Sequence, residues 1–253
     1  MAFNGSKYIE DDYLNISRNL VKGTSFIHKF GTVPAMSTNT TGTIWDKNDT
    51  TYPWSAFDTP GILTIATTAA NGTTSTLDDG KQLTILGLDA NFNVQSETIA
   101  ISGSTGTGTK TFSRVYRAYL TDTVENATQI RVSRGATEVL RVSIGKSQTL
   151  MAIYTVPNGY HGYLTQLKAS IQYGGDCELD MYIRYPGGPF RIGHVGEVAG
   201  TGMPYDYKFT CPIMLPSKTD IDIRASVRSN NSKVTAAFDV ILIAAEDDRG
   251  IRP

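Results

Sequence analysis

Apolar and polar residues alternate with a period of two through most of this chain, and that period predicts strands. The clearest stretch runs from Thr149 to Tyr173, TLMAIYTVPNGYHGYLTQLKASIQY. Leu150, Ala152, Tyr154 and Val156 alternate before the triplet Pro157-Asn158-Gly159, and Tyr163, Thr165, Leu167 and Ala169 alternate after it. The spacing predicts a hairpin of two strands, each with one face buried. Pro presets φ ahead of the turn, and Asn-Gly accepts the positive φ that a tight turn requires.

Six shorter segments between Gly61 and Ile144 read the same way: GILTIATTA, KQLTILGLD, VQSETIAIS, TKTFSRVYRAYL, TQIRVSR and EVLRVSI. Turn-rich links separate them, at Asn71-Gly72, Asp78-Asp79-Gly80, Asp89 to Asn93 and Gly103 to Gly108. The tract Ser102 to Thr109, SGSTGTGT, is expected to be a flexible hairpin tip. Beyond the central hairpin, ELDMYIRY, the segments 190–195 and 205–211, IDIRASV and VTAAFDVILIA continue the pattern. Regular short strands rich in Thr, Ile and Val, with no long helical period, predict an all-β chain built as an antiparallel sandwich or jelly roll. Two β domains are expected, residues 36–145 and 146–253, with the link at Ile144-Gly145-Lys146-Ser147, and a single large sandwich is the alternative. Residues 1–35 are expected to be an extended arm, with Asp11 to Leu20 either one helical turn or extended and Phe26 to Gly31 a short strand.

Composition narrows the function classes. The 253 residues are 40% hydrophobic and 19% charged, with a net charge of −1 and no cluster of Lys and Arg. A nucleic-acid binder normally carries a basic patch, so nucleic acid is not expected as a partner. No apolar run approaches the roughly 18 residues of a membrane span, and no signal peptide is expected, because no basic start leads into an apolar run. Cys177 and Cys211, in separate predicted strands, are expected to be two buried thiols rather than a bridge.

Chemistry-bearing patterns are sparse. His28, His161 and His194 stand in three different segments, and no H-E-x-x-H, C-x-x-C, G-x-S-x-G or Walker loop occurs. Zinc has no sequence support, no cofactor is expected, and the chain is not expected to be an enzyme. Asp89-Ala-Asn91-Phe-Asn93 has the oxygen spacing that opens a calcium loop but lacks its glycine and its closing glutamate, so a turn is expected there. Trp45, Tyr52, Trp54 and Phe57 lie close together in a Pro- and Asp-bearing loop. Such rings either fold inward as a cover or stack on a sugar, with Asp46 or Asp58 accepting hydroxyl hydrogen bonds.

Several phrases together resemble small structural proteins of tailed bacteriophages, notably phages of aquatic bacteria. They are FIHKFG from Phe26, IWD from Ile44, YPW from Tyr52, LGLDANFNVQSET from Leu86, TFSRVYRA from Thr111, QTLMAIYTVP from Gln148 and KTDIDIRA from Lys218. The likeness spans about residues 26 to 245. It implies a virion protein and does not fix its position on the particle. The first expectation is a decoration or cement module held on the major capsid protein or other virion proteins, with a homotrimer favoured because closed symmetry repeats one contact. The expected contacts are Phe26 and Phe30 in the arm and Trp45, Tyr52, Trp54 and Phe57 in the loop. The alternatives are a head-fibre or tail protein that binds a host surface glycan through those rings, and a tail or neck adaptor.

Overall fold

The computed structural model describes residues 12–47, 49–173, 175–200 and 203–248. A short helix, Asp12–Ser17 (α1), precedes Thr24–Met36 (β1) and Thr41–Thr43 (β2). Seven strands follow: Thr64–Thr68 (β3), Gln82–Leu88 (β4), Val94–Ala100 (β5), Thr105–Thr107 (β6), Arg114–Leu120 (β7), Gln129–Arg134 (β8) and Thr137–Val142 (β9). The last seven are Ile153–Thr155 (β10), Tyr160–Gln172 (β11), Cys177–Arg184 (β12), Arg191–Val198 (β13), Tyr205–Leu215 (β14), Asp220–Val227 (β15) and Ser232–Ala244 (β16). Every pairing is antiparallel. The chain is all-β.

One sheet has the order β1-β16-β11-β14. The sheet facing it has β10-β15-β12-β13, with β2 also paired to β15. β2 and β10 lie end to end along β15, opposite Arg224–Ser226 and Asp220–Asp222 respectively. Taken as one strand position, they complete the eight-position order of a jelly roll, in which every connection except β12 to β13 crosses between the two facing sheets. The inward residues of both sheets, among them Val33, Leu164, Leu179, Met181, Ile223, Phe238 and Val240, form one continuous core. Each such fully buried aliphatic side chain contributes roughly 1.5–3 kcal/mol.

Between β2 and β10 the chain leaves this jelly roll and builds a second, smaller sandwich. Its sheets are β6-β3-β8-β9 and β5-β4-β7, closed over Leu63, Ile65, Leu83, Ile85, Phe112, Ile130, Val132 and Leu140. The two points of departure and return touch, because the N–H of Ala152 donates to the carbonyl of Ile44 at 2.8 Å. Met151 and Ile153 point into the insert's core while Ala152, Tyr154 and Val156 point into the jelly roll's. That is why β10 is buried on both faces, where the alternation had predicted one.

Several expectations are corrected here. The strands around Pro157-Asn158-Gly159 are not a hairpin: β10 pairs with β15 and β11 with β16 and β14. The turn, with Gly159 at φ 77°, carries the chain from one sheet to the other, so the two strands meet through their side chains instead of sharing hydrogen bonds. The tract from Ser102 is partly strand, since Thr105–Thr107 pairs with Thr64 to Ala66. Gly106 is needed there, as a Cβ would lie 2.7 Å from the carbonyl oxygen of Ala100. Cys177 is buried but Cys211 is exposed, because it lies on β14, an edge strand with a neighbour on one side only.

Of the segment set apart as an arm, residues 1–11 lie outside the described residues. Asp12–Ser17 is helical, and Thr24–Met36 is paired with β16 along most of its length, with Val33 and Met36 in the jelly-roll core.

Candidate functional site

Residues 44–57 run along the join between the two sandwiches, where both cores need covering. Trp45 meets Tyr52 edge-on at 5.2 Å and Tyr52 meets Trp54 at 4.9 Å; Trp54 lies 5.4 Å from Phe190 of the jelly roll. Trp45 is 1% exposed, Tyr52 2%, Trp54 5% and Phe57 2%. The Trp45 indole N–H donates to the Thr50 carbonyl at 3.1 Å, and burial pushes the Tyr52 phenol well above its usual range. These four rings are brought together, but as a wedge of the insert's core. They offer no free face to a sugar in this chain. Of the two carboxylates paired with them in the sugar reading, Asp58 is exposed and Asp46 is buried.

Beneath the wedge lies a polar network that links the sandwiches. Asp222 accepts hydrogen bonds from the Trp54 indole at 3.0 Å, from Thr43 at 2.7 Å and from Arg224 at 2.9 Å. Burial raises its pKa, and Arg224, Trp54 and Thr43 pull it back. Asp220 accepts from Arg114 of β7 at 2.8 Å, from Arg184 of β12 at 2.8 Å and from Thr155 at 2.6 Å. Both guanidinium groups lie over the Trp54 ring, at 5.7 and 5.4 Å. Charge and hydrogen bonds thus converge on two same-face positions of β15, with the Trp54 ring packed against the guanidinium groups. The sequence held a signal for this: in Asp220-Ile-Asp-Ile-Arg224, charged residues occupy every second position of a strand whose other face is apolar. A row of charges on a strand that something covers must find partners.

Phe26 and Phe30 take a different position. They lie on the outer face of the sheet that contains β1, 38% and 37% exposed. Phe26 opens a cross-strand row with Ile241, Tyr163 and Met214, and Phe30 stands beside Ala237 and Lys168. Between them His28 shares their face, and its Nδ1 contacts Asp239 Oδ1 at 2.5 Å. α1 reaches over the same face, where Lys208 of β14 lies 5.9 Å from the Tyr13 ring centre. At one end the face opens into a cleft of about 630 Å³, lined by Phe30, Asp46, Lys146, Lys168 and Lys233 among others. Burial raises the Asp46 carboxyl to about 7 against hydrogen bonds from Leu150 and Ser143, and its Oδ2 has no hydrogen-bond partner among the described residues. On the inner side of β1, burial and then the charge of Arg117 lower Lys29 to about 7; its ammonium donates to the Tyr116 carbonyl.

Among the described residues no group of three His, Cys, Asp or Glu side chains could hold a metal ion, and no helix is long and apolar enough to cross a membrane. The Asp89 carboxylate is occupied by the N–H groups of Asn91 and Asn93, at 2.8 and 2.9 Å, which is the turn geometry expected. His194 contacts the Tyr205 hydroxyl at 2.5 Å within a cluster that includes Tyr207 and Phe209.

No family model matches the chain, and no curated protein does. Solved structures similar to it include the infectious bursal disease virus Gt strain, at 9% identity over 89% of this chain and 74% of that one, with a TM-score of 0.26. The cowpea mosaic virus top component, a naturally occurring empty particle, shows 8% identity over 71% and 82%, with a TM-score of 0.23. The VP2 subviral particle of infectious bursal disease virus shows 10% over 91% and 74%, with a TM-score of 0.23. Likeness at this level carries no argument about function.

Proposed function

We propose that this chain is a non-enzymatic structural component of a tailed-phage virion, a decoration or cement module on the capsid surface. It would consist of a jelly roll, residues 24–44 with 152–248, and an inserted sandwich, residues 45–151, in place of a single cut near residue 145. The observation that carries the reading is the outer face of the β1-β16-β11-β14 sheet. There Phe26, 38% exposed, heads an apolar cross-strand row completed by the half-buried Ile241, Tyr163 and Met214. Apolar rows at a surface mark contact sites, and the phrases at Phe26, Leu86, Gln148 and Lys218 resemble phage structural proteins. Phe26 and Phe30 would then be contact residues, while Trp45, Tyr52, Trp54 and Phe57 would hold the insert in place. The mechanism is passive: surface buried across neighbouring capsid subunits opposes the pressure of packaged DNA.

The test is co-sedimentation of the purified protein with shells of the major capsid protein, with light scattering to give its own mass. The expected outcome is binding, a higher temperature of DNA release, and a particle near three times 27.5 kDa. Replacing Phe26 and Phe30 by Ser should abolish binding without lowering the melting temperature. A double variant that still binds as tightly would remove this face from the proposal, and shells that never bind the intact protein would end the decoration reading.

A further inference from the structure

A second cleft, of about 360 Å³, opens where the insert meets the jelly roll on the side of Asp220. Three cationic side chains line it, Arg114 from the insert and Arg184 and Lys218 from the jelly roll, and Asp220 is the one carboxylate in the lining. Asp220 accepts from both arginines, so it offsets one positive charge of the three. Lys218 makes no salt bridge among the described residues; its ammonium sits 5.6 Å from the centre of the Phe92 ring. Two positive charges are therefore left facing a partly enclosed space, and Tyr185, 42% exposed, stands at its mouth.

The backbone adds a second observation. Phe92 and Lys218 both adopt left-handed φ, 65° and 66°, in the tight turns that link β4 to β5 and β14 to β15. They approach the cleft from different sandwiches, and the Phe92 carbonyl is itself fixed by the N–H of Asn158 at 2.8 Å. Two turns, one from each sandwich, thus place a ring and an ammonium at the same cleft.

We infer that this cleft binds a carboxylate-bearing sugar, such as one uronic acid unit of an acidic polysaccharide. Lys218 and the outer edge of the Arg184 guanidinium hold the carboxylate, with Arg114, bound to Asp220 and the Ser113 carbonyl, adding its charge, and Tyr185 stacks on the sugar ring. Charge-assisted hydrogen bonds are the strong kind, and a Tyr ring supplies an apolar face with a polar edge. The site is separate from the buried Trp45–Phe57 wedge and does not depend on the structural role proposed above.

Calorimetric titration of the full chain at low salt decides the matter, with glucuronate, glucose and inorganic phosphate as the probes. Glucuronate should bind and glucose should not. Lys218→Asn, which suits a left-handed backbone, should weaken glucuronate at least about tenfold and leave the melting temperature unchanged. Tyr185→Ala should weaken glucuronate but not phosphate. Equal binding of glucose would remove the charge argument. Glucuronate binding no tighter than phosphate, and indifferent to Tyr185→Ala, would remove the sugar. If no probe binds, the cleft is only the ion pairing that joins the sandwiches.

Discussion

The N–H of Ala152 donates to the carbonyl of Ile44 at 2.8 Å, so the insert leaves and rejoins the jelly roll at two hydrogen-bonded neighbours. β1 closes over this junction at Gly31, where a Cβ would lie 2.4 Å from the Ile44 carbonyl oxygen and 2.5 Å from the Ala152 nitrogen. Both obstacles are backbone and cannot swing aside. Gly31→Ala is therefore expected to destabilise the protein by about 1–3 kcal/mol, the range for overpacking, as a lower urea midpoint with an unchanged slope. A midpoint equal to that of the parent would mean that β1 does not close so tightly over the junction.

The Asp222–Arg224 pair is expected to show strong coupling. Removing one partner of a buried pair leaves an uncompensated charge, at about 3–5 kcal/mol, whereas removing both is far milder. Arg224→Met alone should thus destabilise more than Arg224→Met combined with Asp222→Asn. A double-mutant cycle by chemical denaturation measures the difference, and additive single effects would contradict the network described.

Two shifted groups shape stability against pH in opposite directions. Asp46 is raised from 3.8 to about 7. As pH climbs through that window the unfolded chain ionises before the native one, so stability falls. Lys29 is lowered from 10.5 to about 7. Above pH 7 the native chain has released a proton that the unfolded chain keeps, so stability rises again up to about 10.5. Together they predict a shallow minimum near neutrality. Asp46→Asn should remove the fall on the acid side, and Lys29→Met the rise on the alkaline side. Melting temperatures from pH 4 to 10 check both, and a parent curve without the dip would count against these burial effects.

Both indole rings are enclosed, Trp45 at 1% and Trp54 at 5% exposure. Their emission is expected to be blue-shifted and scarcely quenched by acrylamide, in the free protein and in any oligomer. Quenching close to that of free tryptophan would place the rings at the surface and revive their use as sugar platforms.

Strand identity was written in the sequence because alternation acts over four to eight residues, and β3 to β5 and β7 to β9 fall where it placed them. Partner choice was not, and β10 and β11 make the reason plain. Pro157-Asn158-Gly159 is compatible with a hairpin and with a crossing between sheets, and only the cores on either side of β10 decide between them. The aromatic loop was visible as a unit, but its inward orientation depends on Ile153, Asp222 and Phe190, which are remote in sequence. Arg114 and Arg184 could not be assigned to Asp220 from spacing alone, since they come from different sandwiches. Asp220-Ile-Asp-Ile-Arg224 was the one local hint that this strand is covered on both sides.

The register that sets Thr24 opposite Ile243 also fixes an order of events at the ribosome. The first strand of the jelly roll has no ladder to join until β16, roughly two hundred residues further along the chain, has been made. Every strand-to-strand ladder of the insert, by contrast, closes within residues 64–142, and its isolated bridges within 61–148. The inserted sandwich is thus the part equipped to fold first on the nascent chain, and the surrounding jelly roll closes only when β16 arrives.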